Sequence, residues 1–361
     1  MRFLHILVRQ FGIFSARIPT YLVVRYLNKR GHQNIILNND HATDDEERES
    51  RFVRSIGTNH YEKFLAIMRA LLTLNYDVVI VYDTLDAMLS SPASLIKFFL
   101  PLLRNSKKWG KKKFIYYNLE LFSLDYTSPV KKNVGKTLEQ IFIFGCDAFV
   151  ALSPIRLNLA ERIFKITCKK FVVPNSFDFE AKEIRKEPYS PFKLLYAGGI
   201  EDYIFDGFQD AEFDFEFTIH GISKYGIEKL MQKLKGKRNI VLDLNVIKRY
   251  DEFAGFVSRY DAGFVWYPTR TLNERFAGLS SSKYFRYLSL GKPVITRNLP
   301  EIAEITMENN FGTVINDFSE LNQAVSMLSE RYSEFVDGIL QNYYKFEFSR
   351  NFSKVYEFLV V

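Results

Sequence analysis

Residues 280–305 read SSSKYFRYLSLGKPVITRNLPEIAEI. Three serines offer oxygens to the open amides of a helix start, Lys283 to Leu290 is a two-turn helical run, and Gly291 stands where a helix-ending glycine belongs. Pro293 prevents continuation, Val294 and Ile295 make a short apolar strand, and Pro300 suits the first turn of a second helix with Glu301 and Glu304 near its positive end. Helix, strand and helix in so short a segment is the unit of a parallel α/β sheet. It also sets backbone N–H groups and one cation, Lys283, at a helix N-terminus, where an anion such as a diphosphate can be held. Taken alone, the segment is equally an ordinary α/β crossover.

Working back from this stretch, the second half alternates strands and helices. Phe192–Tyr196 is a strand closing on Ala197, Gly198 and Gly199, and Glu216–Ile219 a strand closing on His220 and Gly221. Strands Ile240–Leu244 and Ala262–Trp266 follow, each preceded by a helical run, and strand Thr313–Ile315, helix Leu321–Ser329 and a polar aromatic tail complete the chain. Segment 178–190, charged and holding Pro188, has the composition of a linker.

The first half shows the same alternation. Phe3–Val8, Asn34–Leu37, Asp77–Tyr82, Phe114–Tyr117, Ala148–Leu152 and Lys170–Val173 are short apolar runs, the pattern of strands buried on both faces of a parallel sheet. Helical periods occupy Thr20–Arg30, Tyr61–Leu74, Ser94–Arg104 and Leu138–Phe144, while segment 38–60 is polar and reads as a flexible loop. Two such series imply two Rossmann-like, doubly wound α/β domains facing each other across a cleft. The expected boundaries are 1–177, a linker at 178–190, a second domain at 191–335, and a C-terminal segment at 336–361.

Composition limits the chemistry. A formal charge of +7 favours an anionic partner, whether nucleotide, nucleic acid or acidic membrane face. Cys146 and Cys168 are too few for a disulfide framework, which points to a reducing compartment. The N-terminus has no small-residue cleavage site and reads as a strand rather than a signal peptide, and Ala87–Leu103 is too interrupted to span a membrane. The run NSKKWGKKK places Lys107, Lys108, Lys111, Lys112 and Lys113 around Trp109, which suits anionic lipid headgroups or, equally, a solvated basic turn.

No P-loop, Gly-x-Ser-x-Gly elbow, His-Glu-x-x-His or strict Asp-x-Asp occurs, and the five histidines show no ligand spacing. What remains are the glycine and serine turns at strand ends in the second half. Together they would offer backbone donors and a lysine to a nucleotide diphosphate, with glycine letting the phosphate approach the main chain. In the first half, Asp83 lies just past a strand end, where parallel sheets place ligand groups, and is otherwise a capping aspartate.

The combination of KLLYAGGI at 193–200, FVVPNSFD at 171–178, CDAFVALSPIR at 146–156 and SSSKYFRYLSLGKPVI with PEIAEI resembles the GT-B glycosyltransferases, particularly the bacterial enzymes of surface-polysaccharide synthesis such as capsule and exopolysaccharide. The resemblance implies an enzyme, expected to be cytoplasmic, that moves a hexose from a nucleotide-sugar, expected to be a UDP-sugar, to a glycan or lipid-linked glycan; the lysine cluster Lys107–Lys113 adds the expectation of peripheral contact at the inner face of the plasma membrane. Metal, cofactor and nucleic acid are not expected. By position, Gly198, Gly199, His220 and Gly221 would approach the donor, Val246 and Ile247 would wall the base, and Ser281, Ser282 and Lys283 would meet the diphosphate. Phe11 and Gly12 would line the acceptor side, and a final helix would pack back on the first domain.

The sequence departs from the pattern at the glutamate pair and after the glycine pair, where GGIEDYIFDG supplies acids instead of the usual Arg and Lys. Where many retaining relatives keep two glutamates, this chain has Gly278 and Arg286, the latter either reaching the diphosphate or lying on a solvated helix face. Lys283 with the helix amides would supply charge to the leaving diphosphate without a metal. An inverting reaction would need a base, for which Glu120 and Asp83 are candidates and His41 a third. A non-catalytic nucleotide-sugar or partner-binding protein, or a non-hydrolysing nucleotide-sugar epimerase, is the alternative.

Overall fold

The computed structural model describes residues 1–7, 18–38, 52–55, 60–82, 96–104, 109–119, 128–181, 183–200, 202–205, 212–223, 227–247 and 250–361. In chain order the first part runs β1 (Arg2–Leu7), α1 (Ile18–Asn28), β2 (Gln33–Asn38), β3 (Phe52–Ser55), α2 (His60–Thr73), β4 (Val78–Tyr82), α3 (Ile96–Arg104), β5 (Lys113–Asn118), α4 (Pro129–Gly145), β6 (Ala148–Ala151), α5 (Pro154–Ile163) and β7 (Lys169–Val172). The second runs β8 (Lys193–Ile200), β9 (Glu216–Ser223), α6 (Ile227–Leu234), β10 (Ile240–Asp243), α7 (Tyr250–Val257), β11 (Ala262–Val265), α8 (Leu272–Arg275), α9 (Ser282–Ser289), β12 (Val294–Arg297), α10 (Ile302–Glu308), β13 (Gly312–Ile315), α11 (Leu321–Glu330), α12 (Tyr332–Asn342) and α13 (Phe348–Val360). The chain divides into two compact units, one of Met1–Asn175 with Asn351–Val361 and one of Ser176–Arg350.

The first unit is built on a seven-stranded sheet of order β3-β2-β1-β4-β5-β6-β7. Its pairings are parallel, and β4 and β5 are buried almost along their whole length, which is why they read as unbroken apolar runs. Two expectations are corrected here. Segment 38–60 is not loop throughout, because Phe52–Ser55 pairs with β2 in register Ile35↔Phe52 to Asn38↔Ser55. The helix expected at 138–144 begins at Pro129, since proline is suited to a first turn and Gly135 and Glu139 continue its buried face. His5 in β1 is fully buried and bonded to Asn34 Oδ1 at 2.8 Å and Tyr82 Oη at 3.1 Å. Burial pushes its imidazole down to about 4, so it is a neutral core residue at pH 7.

The polar aromatic tail is helical. In α13 the apolar positions Phe352, Val355 and Leu359 are buried, and within the first unit Phe352 and Tyr356 meet the Tyr26 ring while Phe358 meets Phe171. Lys113 donates to the carbonyls of Phe358 and Leu359, where a cation suits the negative end of a helix. Trp109 is only 5 % exposed, and its indole N–H donates to the Lys112 carbonyl at 2.7 Å. The expected aromatic-basic membrane contact therefore has no indole to offer: that ring is used in the core against Tyr76. Lys107 and Lys108 lie outside the described residues.

The second unit carries a six-stranded parallel sheet, order β10-β9-β8-β11-β12-β13. An aromatic cluster of Phe213, Phe215, Phe217, Phe264, Trp266 and Phe318 fills one side. The chain starts in the middle of this sheet and winds first one way, to β10, then the other, to β13. The reversal falls between β8 and β11, the place where open α/β sheets form a crevice at their strand ends.

Candidate functional site

At that reversal the ladder stops early. Strand β11 pairs with β8 only at Ala262↔Leu194 and Gly263↔Leu195. Beyond it, the hydroxyl of Tyr287 on α9 takes over, accepting from the Ala197 N–H at 2.8 Å and donating to the Leu195 carbonyl at 3.0 Å. A Cβ on Gly263 would run into the Tyr287 ring, so the missing side chain is what admits the tyrosine. One residue thus both satisfies the open strand edge and fixes α9 against it.

The start of α9 follows from capping. Ser281 is the N-cap, its Oγ accepting from the Tyr284 N–H at 3.3 Å, and the Tyr267 hydroxyl lies 2.7 Å from the same Oγ. The first N–H groups of the helix, at Ser282 and Lys283, have no carbonyl one turn earlier within it. At the other end Leu290 closes the helix and Gly291 takes φ +70°, the left-handed conformation that glycine adopts without cost. The turn before the helix is held from α10: Glu301, at φ +70°, accepts from the Leu279 N–H at 2.9 Å. Its carboxylate therefore serves the turn at 278–280 rather than the positive end of its own helix.

Lys283 projects from this helix start to the end of β8. Its Nζ is 3.3 Å from the Tyr196 hydroxyl and lies 4.5 Å and 4.6 Å from the ring centroids of Tyr196 and Tyr267. Burial lowers its ammonium to about 8, against the partly offsetting charge of Glu274. A cation held between two aromatic faces, beside open helix amides, is an arrangement suited to receive an anion. Tyr196 and Tyr267 were not singled out from the sequence. The available signal was position, since Tyr196 is two residues before Gly198 and Tyr267 two residues past the end of β11.

The glycines need correction. Gly198, Gly199, His220 and Gly221 do not form turns at strand ends, because β8 and β9 stay paired through Gly198↔Gly221, Gly199↔Ile222 and Ile200↔Ser223. Gly221 is required by this ladder: at φ +153° it adopts a conformation side chains rarely take, and a Cβ would strike the Gly198 carbonyl oxygen. Gly198 keeps space for Lys283, whose Nζ would be 3.1 Å from an added Cβ. At Gly199 a Cβ would meet nothing within 4 Å, so packing does not require that glycine.

The remaining candidates separate. His220 is buried and pairs through Nδ1 with Asp243 Oδ2 at 3.0 Å, with Phe256 4.5 Å from its ring. Val246 is 45 % exposed and Ile247 partly so, in the segment after β10. Arg286 is not on a solvated face: it is buried, donates to Glu180 Oε2 at 2.9 Å and stacks over Phe177 at 4.8 Å. The Glu180 N–H also donates to the Ser289 carbonyl, so the segment entering this unit is fastened along α9. Phe11, Gly12, His41, Asp83 and Glu120 lie outside the described residues. Among the described residues, no group of three or more His, Cys, Asp or Glu is placed to hold a metal ion, and no helix is long and apolar enough to cross a membrane.

Comparison with known proteins agrees with this architecture. Residues 203–348 match the family described as glucosyltransferase 3-like, C-terminal domain. The sequence has no match among curated proteins. Of solved structures, HepE of Anabaena in complex with UDP-glucose superposes with a TM-score of 0.69 at 12% identity, covering 100% of this chain and 99% of that one. Sucrose-phosphate synthase from Thermosynechococcus elongatus gives 0.72 at 11% identity over 99% of both chains. A glycosyltransferase from Rickettsia africae gives 0.67 at 15% identity, covering 99% of this chain and 98% of that one. The chain has the GT-B fold, and within its second unit residues 203–348 are similar to the C-terminal domain of glucosyltransferase 3-like proteins.

Proposed function

We propose that the protein is a glycosyltransferase that moves a hexose from a nucleotide-sugar, a UDP-sugar by the same reading, to a glycan or lipid-linked oligosaccharide acceptor in bacterial surface-polysaccharide synthesis. The observation that carries the proposal is the placement of Lys283. It stands between Tyr196 and Tyr267 beside the amides of Ser282 and Lys283, at the sheet reversal of a GT-B fold. The structure of HepE with UDP-glucose supports a nucleotide-sugar donor.

In this reading the diphosphate lies against the start of α9. As the bond to the anomeric carbon breaks, negative charge grows on the leaving diphosphate, and Lys283 with the helix amides is already oriented to receive it. The ammonium is partly desolvated before the donor arrives, so its attraction for phosphate is stronger than that of a surface lysine. The protein's own cation supplies this charge, and we assign the reaction no metal. If the reaction inverts the anomeric centre, Asp83 and Glu120 stay our candidates for deprotonating the acceptor hydroxyl, and a retaining reaction needs no such base; we place the enzyme in the cytoplasm.

The test is incubation with a panel of nucleotide-sugars, with and without extracted lipid-linked glycans, scored for free nucleotide, epimerised donor or neither. Acceptor-dependent release of UDP is expected, with Lys283→Ala lowering kcat/KM about 100-fold. Epimerised donor would establish an epimerase instead, and binding without turnover a nucleotide-sugar-binding protein. Release unchanged in Lys283→Ala would overturn the role given to that lysine.

A further inference from the structure

Helix α4 is apolar on two opposite sides. Glu139, Phe142 and Ile143 face the core of the first unit, fully buried or nearly so. On the other side Val130, Val134, Thr137, Ile141 and Phe144 follow one another in alternate steps of four and three, which places them on a single outward stripe. Val130 is 72 % exposed and Phe144 52 %. Among the described residues, no packing partner explains an outward stripe of this kind.

The stripe continues onto two neighbouring helices. Right-handed crossovers from β3 to β4, β4 to β5 and β5 to β6 put α2, α3 and α4 on the same face of the sheet. The rings of Phe64 on α2 and Phe99 on α3 lie 5.8 Å apart. A Cβ on Gly145 of α4 would be 2.6 Å from Pro101 of α3, so those two helices meet closely. Next to these junctions stand Leu65 and Leu102, exposed by about half, as is Leu72 two turns further along α2. Apolar side chains therefore stud one broad helical layer rather than lining a groove.

Among the described side chains of this layer positive charge prevails, with Arg69, Lys132 and Lys136 against the exposed Glu62. In sequence α2 carries Lys63 and Arg69, α3 carries Lys97 and Arg104, and α4 carries Lys131, Lys132 and Lys136. The acids of the three helices are Glu62 and Glu139, and Glu139 is buried against Tyr116 and Asn118. A second copy of the chain laid on this face would bring like charges together. A flat anionic surface matches both features, since apolar points can enter the interface of a bilayer while lysines reach phosphate headgroups.

We infer that the outward face of α2, α3 and α4 is a docking surface for an anionic lipid bilayer. The occupant is a membrane face, not a lipid pocket, and the surface belongs to the first unit whereas Lys283 belongs to the second.

The experiment is flotation with vesicles of equimolar phosphatidylglycerol and phosphatidylcholine, comparing the full chain with a Val134→Glu/Phe144→Glu double variant and a Lys132→Glu/Lys136→Glu variant. Both pairs are at the surface, so thermal melting and UDP binding should stay as in the unsubstituted protein. Expected is flotation of the unsubstituted chain, reduced about tenfold in each variant and much weaker with pure phosphatidylcholine. Failure of the unsubstituted chain to float, or flotation undiminished by Val134→Glu/Phe144→Glu, would overturn the inference. So would light scattering that showed a dimer split by that double variant, which would make the face a self-interface. UDP binding is read on the same samples, so failure here leaves the donor-site proposal standing.

Discussion

Gly198 and Lys283 share one small volume: a Cβ added to Gly198 would stand 3.1 Å from the lysine Nζ and 3.4 Å from its Cε. The glycine in β8 and the lysine at the start of α9 are thus one element of the candidate site. Gly198→Ala should push the flexible end of Lys283 aside while leaving the fold intact. Expected are a melting temperature within about 3 °C of the parent and a UDP affinity weakened about tenfold, measured by calorimetry. Gly199→Ala meets nothing within 4 Å, so any loss of affinity in that variant reports the approach of the ligand itself. A Gly198→Ala protein with parental affinity would separate this glycine from donor binding.

Lys283 also fixes a pH dependence. Its ammonium is lowered from 10.5 to about 8 by burial, so between these values the unfolded chain binds a proton that the folded chain has released. Stability from this group therefore rises with pH from about 8 to about 10.5, and below pH 8 the full cost of burying the charge is present. Lys283→Met should consequently be more stable than the parent at pH 7 by roughly 1–2 kcal/mol, allowing for partial solvent access, and the difference should vanish near pH 10.5. UDP needs the cation, so its affinity should fall above pH 8, by up to about tenfold per pH unit, and this slope should be lost in Lys283→Met. Urea denaturation and UDP titration across pH 7 to 10 measure both.

Arg286 and Glu180 predict an asymmetry. The guanidinium is 4 % exposed, whereas Glu180 lies nearer to solvent. Removing the acid leaves a buried charge, and removing the arginine leaves an acid that water can reach. Glu180→Ala should therefore cost about 2–4 kcal/mol, Arg286→Met less, and the double variant no more than Glu180→Ala alone. Equal costs in a double-mutant cycle would mean that the pair does not act as a unit.

The parts of this protein that were legible in its sequence are those set by short-range physics. Strands buried on both faces must be apolar at every position, so β4 and β5 announce themselves. The limits of α9 are equally local, because the Ser281 oxygen caps its own helix and Gly291 turns left-handed within one residue of its end. The same local reading placed Lys283 beside open amides.

What the tertiary structure decided is which distant residues meet. Whether Gly198 and Gly221 turn or pair depends on how far β8 and β9 stay in register, and that is settled by the partner strand. Trp109 among lysines reads as a surface ring, yet Tyr76 and the Lys112 carbonyl give its indole a buried place. Arg286 stands 106 residues from the Glu180 that neutralises it, and Tyr196 is 87 residues from Lys283. Capping and periodicity act over a few residues, whereas strand order brings the ends of β8 and β11 and the start of α9 to one point. The sequence by itself determined the alternating elements and an anion-ready helix start; the order of the strands decided that two tyrosines would enclose its lysine.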